Sequence, residues 1–248
     1  MSRPSALVIS GPGTNRDKDL ALAFEMAGAD PTIVLASELA HRPTLLRDAQ
    51  MVGVAGGFSY GDALGAGRML ALDLVVGLGD SLHEYVATGR PMIGICNGFQ
   101  VLTRAKLLPG ALGHNAHGRF ECRWVVLDPQ PTSRSLWTKG INDPIHCPIA
   151  HGEGRYVHPD PTLLAQAGQV ALTYRSTNPN GSVADIAGVC NAAGNVLGLM
   201  PHPENHVIPR QHPHHRPSGH RQPHHRGAGN EHLGLRLFRN GVSAAAEM

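Results

Sequence analysis

Aromatic residues make up only 4% of the 248-residue chain, too few for the stacking platforms of a single-stranded nucleic-acid module. A strong charge of one sign is also missing. The formal net charge of +2 gives no general pull toward DNA or an anionic membrane surface. No apolar run approaches membrane-spanning length; the first, at residues 6–9, follows a single Arg3 and is too short even for a secretory core. A cytoplasmic location with no membrane or nucleic-acid partner is therefore expected. The four cysteines, Cys96, Cys122, Cys147 and Cys190, form no C-x-x-C pair, which fits neither a zinc site nor a small disulfide framework. The chain also lacks a G-x-x-x-x-G-K-[ST] loop, so no P-loop nucleotide site is expected on it.

Hydrophobic residues at 42% and charged residues at 16% are what an ordinary globular α/β domain carries, and one domain over residues 1–248 is expected. Strand-length apolar runs at residues 6–9, 32–35, 51–55 and 92–95 alternate with helical stretches, the pattern of a mostly parallel sheet flanked by helices. The spacing predicts helices over residues 17–27, with Gly28 as its stop, through the Leu- and Val-rich stretch that leads by Gly89 to Pro91, and over 97–107. Farther on, residues 120–127 and 170–174 read as strands, and residues 185–189 and 196–200 as a hairpin. Residues 206–229 are rich in His, Arg, Pro and Gly, with Pro213-His214-His215-Arg216 repeated as Pro223-His224-His225-Arg226. That composition predicts a solvated loop without fixed ligand geometry, so no metal site is expected there. A final helix is expected over residues 233–242.

Gly94-Ile95-Cys96-Asn97-Gly98 has the spacing of a nucleophile elbow, in which small residues let the chain turn sharply from a strand into a helix. A cysteine there also sits at a helix N-terminus, where unpaired N–H groups favour thiolate over thiol. The other three cysteines lack that setting. A cysteine hydrolase further needs a base and a group to orient it, and two His-x-Glu triplets are available: His151-Gly152-Glu153 in a glycine-rich loop and His202-Pro203-Glu204 after a strand. Residues two apart in extended chain share a side, so either triplet can pair internally, and spacing alone leaves both open.

Cys96 in Gly-Ile-Cys-Asn-Gly-Phe-Gln, followed by Met200-Pro201-His202-Pro203-Glu204, resembles the class I glutamine amidotransferases. Pro12-Gly13-Thr14-Asn15, Gly56-Gly57-Phe58-Ser59-Tyr60-Gly61-Asp62, Phe120-Glu121-Cys122-Arg123, Pro148-Ile149-Ala150-His151-Gly152-Glu153-Gly154 and Asn178-Pro179-Asn180-Gly181-Ser182 narrow the likeness to the glutaminase subunits of phosphoribosylformylglycinamidine synthase. The resemblance implies Cys96 as nucleophile, His202 as base and Glu204 as its orienting acid, with the backbone N–H groups of Gly57 and Asn97 as oxyanion hole. It makes Gly56, Phe58, Gln100 and His151 candidate glutamine-binding residues. It also implies glutamine as substrate and a large ATP-dependent synthase subunit as partner, carrying ATP and magnesium, and allows a small accessory subunit beside it. No cofactor is expected on this chain. An amidotransferase serving another acceptor, or a non-catalytic protein using a reactive cysteine on the same fold, are the alternatives.

Overall fold

A computed structural model describes residues 3–214 and 233–248. The first half runs β1 (Ser5–Ser10), α1 (Asp17–Ala27), β2 (Asp30–Leu35), α2 (Ala36–His41), α3 (Thr44–Asp48), β3 (Met51–Val54), α4 (Arg68–Leu78), α5 (Asp80–Ala87), β4 (Met92–Ile95) and α6 (Asn97–Arg104). The second runs β5 (Ala111–Gly113), β6 (Glu121–Pro129), β7 (Ile145–His151), β8 (Arg155–Val157), α7 (Pro161–Gln166), β9 (Val170–Tyr174), β10 (Ile186–Cys190), β11 (Val196–Leu199) and α8 (Leu235–Ala246).

One large sheet has the order β2-β1-β3-β4-β11-β10-β9-β6-β7, and β5 pairs with β8 separately. From β2 to β11 neighbours are parallel; from β11 to β7 they are antiparallel. The parallel half carries helices, as the alternation of short apolar runs and amphipathic stretches predicts. Its inner strands are buried, β3, β4 and β11 completely and β1 beyond Ser5, which is why they read as unbroken apolar runs, whereas edge strand β2 buries only Val34. Gly28 closes α1 in a left-handed conformation (φ 105°), donating its N–H to Glu25 O, while Ala29 N–H reaches Phe24 O.

The pairing of β4 with β11 positions the site. These strands are a hundred residues apart in sequence yet parallel, with Ile95 beside Leu199 in register. The chain therefore leaves both at the same edge of the sheet, bringing Cys96 next to the segment 200–204, at the carboxyl ends where α/β sheets bind ligands.

Several elements differ from the sequence reading. The Leu- and Val-rich stretch before Pro91 is two helices, because Gly79 (φ 44°) breaks the path between α4 and α5. The helix after Cys96 stops at Arg104, three residues early, and Lys106 turns left-handed (φ 61°) beyond it. His151, read as part of a glycine-rich loop, is the last residue of β7, whose alternate residues Ile145, Cys147, Ile149 and His151 are buried. Pro148 obscured that strand and is tolerated because β7 is the last strand of the sheet.

The stretch expected to be solvated from residue 206 begins instead as packed structure. His206 is buried, Pro209–Gln211 forms a single 3₁₀ turn, and Gln211 Oε1 accepts from the N–H groups of Val207 (2.8 Å) and Ile208 (3.0 Å). Trp124 of β6 packs edge-on against the rings of His206 and His212, at 5.2 and 4.7 Å. The remainder of that stretch, residues 215–229, lies outside the described residues. Among the described residues, no helix is long and apolar enough to cross a membrane, and no group of three His, Cys, Asp or Glu side chains is arranged to hold a metal.

Candidate active site

Cys96 occupies the joint between β4 and α6 with φ 51° and ψ −104°, a conformation an L-residue adopts only at a cost of about 1–3 kcal/mol. Its N–H donates to Leu199 O (2.8 Å) and its carbonyl accepts from Gln100 N–H (3.1 Å), so strand and helix together hold the strained turn. The glycines of the elbow are there for space. A Cβ on Gly94 would come within 2.5 Å of Leu102, and one on Gly98 within 2.0 Å of Val54 O. The elbow predicted from Gly94 to Gly98 is therefore present as a tightly packed strand-to-helix turn.

The two His-x-Glu triplets do different things. His202 Nδ1 lies 2.6 Å from Glu204 Oε1, both residues almost wholly buried. Their pairing comes from the 3₁₀ turn Pro203–Asn205 rather than from extended chain, so the periodicity that suggested it was the wrong reason. The main chain of His202 is tied to β7, its N–H donating to Pro148 O at 2.9 Å. His151 and Glu153 diverge. His151 Nδ1 is 3.1 Å from Asn115 Oδ1, while Glu153 Oε1 accepts from Ala66 N–H at 3.3 Å.

Electrostatics separates the histidines further. Burial works against a charge on His202, but the adjacent Glu204, first, and Cys96 outweigh it and raise its pKa from 6.5, which favours the imidazolium form. His151 goes the other way: burial, reinforced by His202, lowers its pKa to about 4. A histidine kept neutral and hydrogen-bonded to Asn115 is poorly suited to protonate a leaving group. Cys147, at the back of the site, is fully buried and its thiol is pushed well up by that burial and by Glu204, leaving it protonated.

A cleft of about 240 Å³ opens beside Cys96 and His202. Gly57, Phe58, Asn97, Gln100 and His151, all singled out from the sequence, line it. Gly56 lies behind them. A Cβ there would meet His202 Cε1 and the Ile95 carbonyl at 2.9 Å and Cys96 Cβ at 3.3 Å, so the absence of a side chain lets the thiol and imidazole approach. Gly56→Ala is expected to push His202 away and lower the rate of the chemistry at Cys96 by roughly 10²-fold, the cost of a displacement near 1 Å. Steady-state assays alongside a thermal melt check that outcome; an unchanged rate would remove this role from Gly56.

Glu153 of the first triplet also lines the cleft, with residues that the sequence reading did not single out: Asn15, Arg16, Asp62, His114 and Phe120. Three of these, Asn15, Asp62 and Phe120, stand inside the motifs quoted above, so position within a motif was the available signal. Phe58 and Phe120 stack at the cleft with centroids 6.1 Å apart. Asp62 is raised above the usual carboxylate value, by burial first, against hydrogen bonds from Gly67 N–H and the Asn97 side chain.

A cysteine on a strand-to-helix elbow, facing a buried His–Glu pair at the carboxyl edge of a parallel sheet, is the arrangement of a glutamine amidotransferase. Residues 3–243 match the model of the CobB/CobQ-like glutamine amidotransferase domain. The chain is 46% identical over 245 residues to the phosphoribosylformylglycinamidine synthase subunit PurQ of Treponema denticola, covering 84% of this chain and 90% of that one. It is 39% identical over 223 residues to the subunit of the same name from Dehalococcoides mccartyi, covering 84% and 87%. The structure of PurLQS from Thermotoga maritima superposes with a TM-score of 0.77 at 34% identity, over 97% of this chain and 98% of the matched chain. The chain belongs to the CobB/CobQ-like glutamine amidotransferases and, within them, to the PurQ subunits of phosphoribosylformylglycinamidine synthase.

Proposed function

We propose that this chain hydrolyses glutamine to glutamate and delivers the ammonia to a synthase subunit, which uses it for ATP-dependent conversion of formylglycinamide ribonucleotide to formylglycinamidine ribonucleotide in purine biosynthesis. The convergence of Cys96 and His202 on one cleft, with buried Glu204 hydrogen-bonded to His202, in a chain of this family, carries that reading. The Cys96 thiolate attacks the side-chain amide carbon of glutamine, and the carbonyl electrons move to oxygen as an oxyanion facing the N–H groups of Gly57 and Asn97. Collapse breaks the C–N bond, with the His202 imidazolium giving its proton to the departing nitrogen. A γ-glutamyl thioester remains. Neutral His202 then takes a proton from water, the hydroxide adds to the thioester, and the thiolate departs with glutamate formed. Glu204 holds the imidazole in place and stabilises its charge through both steps.

Ammonia released into water near neutral pH becomes ammonium, which is not nucleophilic, so direct transfer to a second site is required. The acceptor site, with ATP and magnesium, is assigned to the large synthase subunit, and the complex to the cytoplasm. Gly56, Phe58, Gln100 and His151 are assigned to the walls that hold glutamine.

A glutamine-like electrophile is expected to label Cys96 alone. Cys147 and Cys190 are buried, with thiols raised well above their usual value, first by burial, and Cys122 is exposed but away from the cleft. Peptide mapping after labelling tests this; modification concentrated on Cys122 with Cys96 untouched would displace the nucleophile.

A further inference from the structure

The residue after the nucleophile has a buried side chain that uses its whole hydrogen-bonding capacity. Asn97 Oδ1 accepts from Ser59 N–H (3.2 Å) and, in a short contact, from the Ser59 hydroxyl. Its Nδ2 donates to Asp62 Oδ1 and to Gln100 Oε1, each at 3.0 Å. An amide has two donor hydrogens and two acceptor lone pairs, and all four are engaged. Gln100 passes the link on, Nε2 donating to Glu153 O at 2.6 Å on the opposite wall of the cleft.

Ser59 and Asp62 belong to the segment with the densest run of left-handed non-glycine residues among the described residues. Phe58, Tyr60, Asp62 and Leu64 all have left-handed backbones, with φ between 53° and 64°, and Gly57 stands at 100°. Such conformations persist only where the surroundings over-determine them. The surroundings include Asn15 N–H on Gly57 O (3.1 Å), Tyr60 N–H on Pro12 O (2.6 Å) and the Tyr60 hydroxyl on Asp73. All of these anchor the segment to the β1–α1 turn or to α4. Asn97 alone among them is bonded covalently to Cys96. It joins the turn bearing Gly57 to the turn bearing the nucleophile.

We infer that the Asn97 side chain is a positioning residue: it locks the strained 57–64 segment onto the nucleophile elbow, so that the Gly57 and Asn97 N–H groups converge on one oxyanion. The inference rests on the glutaminase reading above and adds to it what keeps the two halves of the oxyanion hole in register. The lock matters only in the transition state, where charge develops on the carbonyl oxygen. Its loss therefore falls on kcat rather than on KM.

The test uses the full chain assembled with its synthase subunit. Asn97→Ala is expected to lower kcat for glutamine hydrolysis roughly 10²-fold, the size expected for one misplaced oxyanion donor, with KM within about threefold of wild type. Alkylation of Cys96 by iodoacetamide, a direct displacement that forms no oxyanion, is expected to keep its wild-type rate. Ser59→Ala removes one donor from the same lock and is expected to give a smaller loss. The double variant is expected to be no slower than Asn97→Ala alone, because both substitutions break one contact. Should Asn97→Ala fail to fold, Ser59→Ala carries the same kcat, KM and alkylation comparison. Parallel loss of turnover and alkylation, losses that multiply in the double variant, a change confined to KM, or unchanged turnover would each overturn the inference. A wild-type complex that releases no glutamate would instead remove the glutaminase reading and leave the lock without a reaction to serve.

Discussion

Cys96→Ala in the assembled synthase is expected to abolish glutamine-supported amidation while ammonia-supported amidation continues near the wild-type rate. Removing a nucleophile from a hydrolase triad costs on the order of 10⁶-fold in turnover, because no thioester can form and the remaining groups only bind substrate. The acceptor chemistry is proposed to lie on another subunit and to need only ammonia. An ammonium salt at mildly alkaline pH supplies enough of the free base to reach it without passing through this chain. The substitution is sterically mild: Cys96 is 6% exposed, and alanine removes one sulfur from a cleft that is already open. Formylglycinamidine ribonucleotide formed with each nitrogen source, for wild type and variant, gives four rates. Loss of both activities in an intact complex would contradict the separation of the two sites. Retained glutamine-dependent synthesis would take Cys96 out of the mechanism.

What could be read from the sequence followed local rules. Strands β1, β3 and β4 and helix α1 were legible because their apolar spacing, acidic first turn and glycine stop act within a few residues. The elbow at Cys96 was legible for the same reason, since Gly94 and Gly98 announce a tight turn wherever it packs. The long-range facts were not. Nothing within residues 196–204 says that β11 lies parallel to β4, yet that pairing puts His202 beside Cys96. The difference between the two triplets was likewise closed to spacing, because it lies in burial and neighbouring charge: His202 shares its surroundings with Glu204 and Cys96, while His151 hydrogen-bonds to Asn115 and feels His202 as a like charge. The antiparallel half was harder still. Pro148 interrupts the apparent pattern of β7, and only its place beside β6 at the sheet's end makes it a strand.

His202→Ala is expected to lower glutamine turnover by roughly 10²- to 10⁴-fold, as removal of a general acid–base does, whereas His151→Ala should act chiefly through the glutamine requirement. The alanine variant leaves Glu204 buried without its partner, a loss that also costs stability, so His202→Asn is the better companion. Its amide can still donate toward Glu204 but cannot carry a proton. Stability against pH separates the two histidines independently of activity. His202 has a folded pKa raised from 6.5, so its contribution is full below pH 6.5 and fades as pH rises through that higher value. His151 has a folded pKa lowered to about 4, so the unfolded chain binds the proton first and stability falls as pH drops from 6.5 toward 4. Melting temperatures of His202→Asn should therefore lose the alkaline decline of wild type, and those of His151→Asn the acid one. If instead the larger loss of turnover accompanied His151→Ala, or the two variants exchanged their pH signatures, the base would belong to the other triplet.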